Sequence, residues 1–131
     1  MRVVDTSAWI EGFVAGGQHS ALRRELPPRE ACIVPTLVQY ELAKWSARNL
    51  DEAGAAAVIA YTTQCIVVDL DTTIALAAAD LARQHKLAMA DALIYATALH
   101  KQADLLTCDI HFKGLDHVVY LAKLDRAAAM R

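Results

Sequence analysis

Apolar residues fall along this chain in short runs separated by longer stretches of helical spacing, and that alternation organises the rest. Val3-Val4, Cys32-Ile33-Val34, Ile66-Val67-Val68, residues 104–107 and Val118-Val119-Tyr120 are apolar, mostly β-rich runs bounded by polar turns. That is the signature of short buried strands. Residues 7–14 (SAWIEGFV) predict a short helix with Trp9, Ile10, Phe13 and Val14 on one apolar side, ended by Gly16-Gly17. Ser20 is placed to cap a second short helix running to Leu26, stopped by Pro27-Pro28. Thr36 and Gln39 have capping-box spacing for a helix opening at Pro35-Thr36 and continuing to about Arg48. Asn49 with Glu52 repeats the pattern for another, through about Ala60. Asp71 caps an alanine-rich helix over 72–85, and the stretch from Leu87 reads as a helix apolar on almost every side, with Asp91 in its first turn. The tail, 123–131, has helical composition but no clear anchor.

Strands alternating with helices imply right-handed crossovers and a mostly parallel sheet covered on both faces. The expected architecture is one α/β domain over 1–131, a three-layer α/β/α sandwich. In such a sheet the residues just after strands and in first helical turns share one edge, where ligands bind. Asp5 follows the first strand, Asp109 follows the strand at 104–107, and Asp91 lies in a first turn. Glu41 sits among Leu37, Val38, Leu42 and Trp45 on an apolar stripe, where a carboxylate needs compensation.

Four carboxylates gathered in one crevice raise each other's pKa values unless a divalent cation sits between them. Oxygen ligands without Cys or His point to Mg²⁺ or Mn²⁺ rather than zinc. Phosphodiester hydrolysis is a chemistry such sites serve, because the cation activates water and neutralises phosphate charge. Singly, each acid has a plainer role: Asp5 as an N-cap, Asp91 on a helix dipole, Asp109 in a turn, Glu41 paired with Lys44 or Arg48. Four such coincidences at one edge explain the pattern less well than one site does. Asp69, Asp71 and Asp80 fit the roles of turn acid, N-cap and solvent-facing partner of Arg83. The histidines at 19, 85, 100, 111 and 117 show no ligand spacing; His111, close to Asp109, reads as a surface-loop residue within reach of a substrate.

Composition narrows the setting. A chain of 131 residues can bury a real core, and the 56% hydrophobic fraction, rich in alanine, suits close helix packing with some apolar surface left for a partner. No apolar run is long enough to span a bilayer, and the opening MRVVD carries no secretory h-region. Three scattered cysteines form no metal-type pair, and a reducing cytoplasm is the expected location. A net charge of −2 without a basic tail argues against a protein that grips nucleic acid by bulk electrostatics. It leaves open an enzyme that touches a short stretch of it.

The segments VVDTSAWIE at 3–11, VPTLVQYEL at 34–42, ADALIYATAL at 90–99 and LLTCDIHF at 105–112 resemble the PIN-domain family. More narrowly they resemble VapC-type toxins of bacterial toxin–antitoxin pairs, in the family's order across nearly the whole chain. The resemblance implies a Mg²⁺- or Mn²⁺-dependent endoribonuclease on a PIN-like sandwich. Carried over by position, Asp5, Glu41, Asp91 and Asp109 match the acidic quartet as catalytic residues. Asp5, Asp91 and Asp109 would hold the cation, and Glu41 would position a water or act as a base. Thr6 or Ser7, and Thr107, match supporting hydroxyl positions. Cys108 and the IHF that follows depart from the more polar residues common there.

The resemblance also implies an RNA substrate, a homodimer without membrane association, and a cognate antitoxin laid across the site. Trp9 and Phe13 are the expected anchors of a receiving groove, with core packing claiming at least one of them. Arg23, Arg24 and Lys113 are candidate RNA contacts. The competing reading is a PIN-like RNA- or protein-binding regulatory module without turnover, which the complete quartet argues against. A haloacid-dehalogenase-like phosphatase would need a second Asp where Ser7 stands, and a receiver domain would need adjacent acids that the first strand lacks.

Overall fold

The structure is a computed structural model that describes residues 1–14 and 19–124. Five strands, β1 (Arg2–Val4), β2 (Cys32–Pro35), β3 (Ile66–Val68), β4 (Asp104–Thr107) and β5 (Val118–Tyr120), form one sheet in the order β3-β2-β1-β4-β5. All four pairings are parallel. The helices are α1 (Thr6–Trp9), α2 (Ser20–Glu25), α3 (Thr36–Asn49), α4 (Glu52–Thr63), α5 (Thr72–His85) and α6 (Met89–His100). Every predicted strand is present, and the sandwich is α/β/α with a wholly parallel sheet.

The strand order sets where a site can form. From β1 the chain steps outward to β2 and β3, then returns across the sheet to β4 on the other side of β1. Right-handed crossovers therefore put α1–α4 on one face and α5 and α6 on the other. The reversal falls between β1 and β4, and the crevice at the carboxyl ends of those two strands is the switch point.

Covered on both sides, the central strands read as unbroken apolar runs: Val3, Val4, Ile33, Val34, Leu105 and Leu106 are all buried. Burial explains α6 as well. Ala92, Ile94, Tyr95, Ala96 and Ala98 are buried between α5 and the sheet, and the Tyr95 hydroxyl donates to the Asp116 carbonyl at 2.8 Å. At the opposite edge from the switch point, Arg2 closes the start of β1 by donating to both Asp104 carboxylate oxygens at 2.8 and 2.9 Å.

Several helix ends differ from the local signals. The apolar stretch at 7–14 is not one regular helix: after α1 the backbone widens into a π-helical turn, Ile10–Val14, that seats Gly12 against Leu22 and Leu26. A Cβ at Gly12 would stand 3.1 Å from Leu26, so tertiary contact overrides the simple helical period. Gly16-Gly17 lie outside the described residues, as does the tail after Leu124.

Capping differs too. Ser20 does not cap α2; the His19 ring does, its Nδ1 accepting from Leu22 N at 3.2 Å while Nε2 donates to the Ala122 carbonyl at 2.7 Å. Neither capping box forms. Pro35 holds the N-cap position of α3, so the Thr36 hydroxyl accepts instead from Leu70 N, and Gln39 donates to the Thr62 hydroxyl at 3.1 Å. α3 runs through Asn49, whose amide donates back to the Trp45 carbonyl, and Asp51 caps α4 by accepting from Gly54 N at 2.7 Å. Asp71 caps α5 as expected, accepting from Ile74 N.

Candidate metal centre at the sheet edge

Asp5 leaves β1 at the switch point, its backbone N–H donating to the Leu106 carbonyl on β4. Although Asp5 occupies the N-cap position of α1, its side chain makes no capping bond. Its Oδ2 accepts instead from two hydroxyls, Ser7 and Thr107, each at 2.8 Å. Those hydroxyls accept in turn from backbone N–H groups: Cys108 N to Ser7 Oγ at 3.0 Å and Asp109 N to Thr107 Oγ1 at 2.9 Å. Each hydroxyl spends its donor on the buried acid and its acceptor on the loop after β4. The two acid-bearing loops are thereby locked together.

Thr6, next in sequence, serves a different acid. Its hydroxyl donates to Glu41 Oε1 at 2.7 Å, across 35 residues. Among the described residues Glu41 forms no ion pair with Lys44 or Arg48, and it is half-buried on α3 between buried Val38 and Leu42. Asp91 lies in the first turn of α6, and Asp109 Oδ1 accepts from His111 N at 2.9 Å, which starts the 3-10 turn Ile110–Phe112.

That turn brings in a residue that sequence reasoning placed only as a surface histidine. His111 Nδ1 lies 3.0 Å from Asp109 Oδ1 and 3.7 Å from Asp91 Oδ2. Ligand atoms of Asp91, Asp109 and His111 all fall within 4.8 Å of one another. The available signal was the two-residue step from an acid that both ends a strand and begins a tight turn. A lone histidine has no ligand spacing of its own, and its approach to Asp91 depends on α6 meeting β4.

The acids act on each other. Burial first, then the charges of Asp109, Asp5 and Glu41, push the Asp91 carboxyl up to about 6, with His111 pulling the other way. Burial also raises Asp5, opposed by the Ser7 and Thr107 hydrogen bonds and reinforced by the Glu41 charge. A cavity edge that holds four mutually repelling carboxylates and one imidazole fits a divalent cation, whose charge would relieve the repulsion. Asp91, Asp109 and His111 are grouped at ligand distance, while Asp5 and Glu41 flank them within electrostatic reach. Buried Cys108, its thiol pushed up to about 11 by burial, fills space beside the site as a neutral side chain.

The remaining candidates separate. Arg23 and Arg24 close α2, whose last residue, Glu25, is tied by Arg2 to the start of β1, the strand end away from Asp5. Lys113 stands with its Nζ 5.6 Å over the Tyr120 ring, and Tyr120 pairs with Thr107, so this lysine belongs to the acidic edge. Trp9 is a core residue, 1% exposed, whereas Phe13 is 36% exposed and stacks on it with ring centroids 4.6 Å apart. With Tyr61, Leu50, Ala57 and Val58 they line an apolar groove of about 340 Å³.

A parallel sandwich with acids gathered at its switch point defines a class of α/β domain with a cation-suited edge. The chain belongs to the PIN domain family, which it matches over residues 2–118. Its fold is shared with solved structures at low identity. A toxin–antitoxin complex from Klebsiella pneumoniae is 19% identical with a TM-score of 0.80, covering 95% of this chain and 100% of that one. VapC20 from Mycobacterium tuberculosis, a sarcin-ricin loop cleaving toxin, is 20% identical with a TM-score of 0.72, covering 90% and 97%. DNA-bound VapBC from Salmonella typhimurium is 20% identical with a TM-score of 0.71, covering 92% and 96%. Among curated protein sequences, none matches.

Proposed function

We propose that this chain is a Mg²⁺- or Mn²⁺-dependent endoribonuclease, the VapC-type toxin of a type II toxin–antitoxin pair. The observation that carries the reading is the convergence of Asp5, Glu41, Asp91 and Asp109 on one edge, with Asp91 pushed up to about 6 by burial and by the charges of the other three acids. Asp5, Asp91 and Asp109 would hold the cation, and His111 is within reach to add a nitrogen donor. When bound, the cation lowers the pKa of water and neutralises charge building on the phosphate.

The protein's own groups do the rest. Ser7 and Thr107 orient Asp5 through a single oxygen, so that acid cannot swing away from the edge. Thr6 holds Glu41 by one oxygen, and Glu41 takes the proton of the attacking water. Attack proceeds in line on an RNA phosphodiester: the bond from the water oxygen to phosphorus forms as the P–O bond opposite it breaks, and the leaving sugar oxygen takes up a proton from solvent. PIN-family membership and the toxins among its structural neighbours support this reading.

The cognate antitoxin is the proposed occupant of the apolar groove, with exposed Phe13 and half-buried Tyr61 as anchors and Trp9 as floor. A second copy of the chain is the proposed cover for Ile66, Val67, Leu70 and Leu76, which remain exposed along β3 and the start of α5. Cleavage of cellular RNA with Mg²⁺ or Mn²⁺, against EDTA, tests the central claim. Wild type is expected to cut only with the cation and Asp91→Asn not at all. Equal cutting by both would remove Asp91 from the site, and no cutting by wild type with either metal would favour the binding-module reading.

A further inference from the structure

We infer that the cleft running along α3 from Glu41 binds single-stranded RNA flanking the scissile phosphate, an inference that rests on the ribonuclease reading above. The cleft encloses about 320 Å³, and Tyr40, Glu41, Lys44, Trp45 and Arg48 are among its lining. That volume is at the lower end of ordinary ligand pockets. Thr6 also lines it, so the Thr6–Glu41 hydrogen bond is a wall shared by the cleft and the acidic edge.

Three features of α3 have no structural explanation within the described residues. Tyr40 is 61% exposed and makes no ring contact or hydrogen bond. Lys44 and Arg48 are exposed and form no ion pair, although acids stand close by. Tyr40, Lys44 and Arg48 follow one another at four-residue steps on a single helix stripe, each step rising about 6 Å. That rise is comparable to the separation of neighbouring phosphates on an extended strand. Trp45, half-buried, lines the same cleft one turn after Glu41.

Cations tracking a backbone, interleaved with aromatic faces on which bases stack, are the chemistry that holds single strands. An A-form duplex offers no open base faces to such a surface. Charge separates this cleft from the groove lined by Trp9, Phe13, Leu50, Ala57, Val58 and Tyr61, whose lining residues are all uncharged. Because α3 begins at the acidic edge, a strand seated on the stripe leaves the cation site along the helix. The wild-type chain then reads bases next to the cut through stacking, and holds the flanking phosphates with Lys44 and Arg48.

The test uses a fluorescein-labelled RNA decamer of mixed sequence, bound in EDTA so that no turnover occurs and followed by anisotropy. Tyr40→Ala is expected to weaken binding about tenfold, with Tyr40→Phe within about twofold of wild type, since the ring alone stacks. The K44A/R48A double variant is expected to reduce the slope of log K against log salt by about 1.4, from two released phosphate contacts. Arg24→Ala, at the far end of the sheet, is expected to bind as wild type. Thermal melts establish that each variant is folded, which the exposure of these side chains favours.

If wild type cleaves RNA with Mn²⁺ while all α3 variants bind and cleave unchanged, the cleft is misassigned and the ribonuclease reading stands. If wild type neither binds the decamer nor cleaves any RNA, both fall together. Equal affinity for a blunt RNA duplex overturns stacking as the mode of binding. Loss of antitoxin affinity in the variants, with RNA binding intact, overturns the proposal in favour of a protein-docking surface.

Discussion

Residues 5–13 present two surfaces of opposite character. On one side Asp5, Thr6 and Ser7 enter a network of directional hydrogen bonds, among them Thr6 to Glu41 at 2.7 Å, Ser7 to Asp5 at 2.8 Å and Cys108 N to Ser7 at 3.0 Å, that holds carboxylates close together despite their repulsion. On the other side Trp9 and Phe13 enter an apolar groove held by ring contact with each other and with Tyr61. The first surface is electrostatically unfavourable until an opposite charge arrives. The second is apolar area partly exposed to water, favourable to cover with any complementary apolar face. One segment thus links an acidic edge suited to a cation to an apolar surface suited to a partner, and on the proposed reading an antitoxin in the groove would lie about one helical turn from the acids.

If the two surfaces have separate duties, substitutions will separate them. The largest effect is expected at the acids: Asp5→Asn or Asp91→Asn should lower RNA cleavage on the order of 10³-fold with antitoxin affinity retained, read by cleavage rate and by calorimetric titration. The converse pair, Phe13→Ala and Tyr61→Ala, should weaken the antitoxin by about 2 kcal/mol each, roughly thirtyfold, and leave cleavage within a few-fold. Cleavage lost in step with antitoxin affinity would break the comparison.

Stability sharpens it next. Thr107→Val keeps the shape but removes one of two donors to the buried Asp5 oxygen, and is expected to cost about 1–3 kcal/mol in denaturant unfolding. Phe13 is already 36% exposed, so truncating it should cost clearly less.

The smallest effect is in the titration of Asp91. Its folded carboxyl sits at about 6 against an ordinary value of 3.8, so the native chain holds this proton more tightly than the unfolded one does. This group's contribution to stability therefore falls as pH rises from about 4 to about 6, and the penalty is complete above that window. In EDTA at pH 8, Asp91→Asn should raise stability by about 1 kcal/mol after allowing for solvent screening, a melting shift of a few degrees. At pH 4 the gain should vanish. Added Mn²⁺ should raise the melting temperature of wild type more than that of the variant; equal shifts would mean that Asp91 does not see the cation.

The β/α alternation, all five strands, the Asp71 cap, the positions of Asp5 and Asp109 after strands and that of Asp91 in a helical first turn were legible in the sequence. These depend on local hydrophobic period and on the geometry of a parallel sheet, where strand ends and helix starts must share an edge. Caps were less legible. His19, Pro35 and Asp51 took the positions assigned to Ser20, the Thr36 box and Asn49; the His19 ring also reaches Ala122 and the Thr36 hydroxyl also reaches Leu70, contacts distant in sequence.

Chemistry at the edge divides along the same line. The chain order alone shows which residue types reach the switch point. It does not show that Ser7 and Thr107 both serve one oxygen of Asp5 while Thr6 turns to Glu41, since Thr107 lies 102 residues from Asp5 and Glu41 lies 35 from Thr6. His111 joined Asp91 and Asp109 only through the meeting of α6, β4 and the turn after it. Periodicity is a property of neighbours in sequence and survives without the fold. Partnership among side chains is a property of neighbours in space, and only the packed sheet decided it.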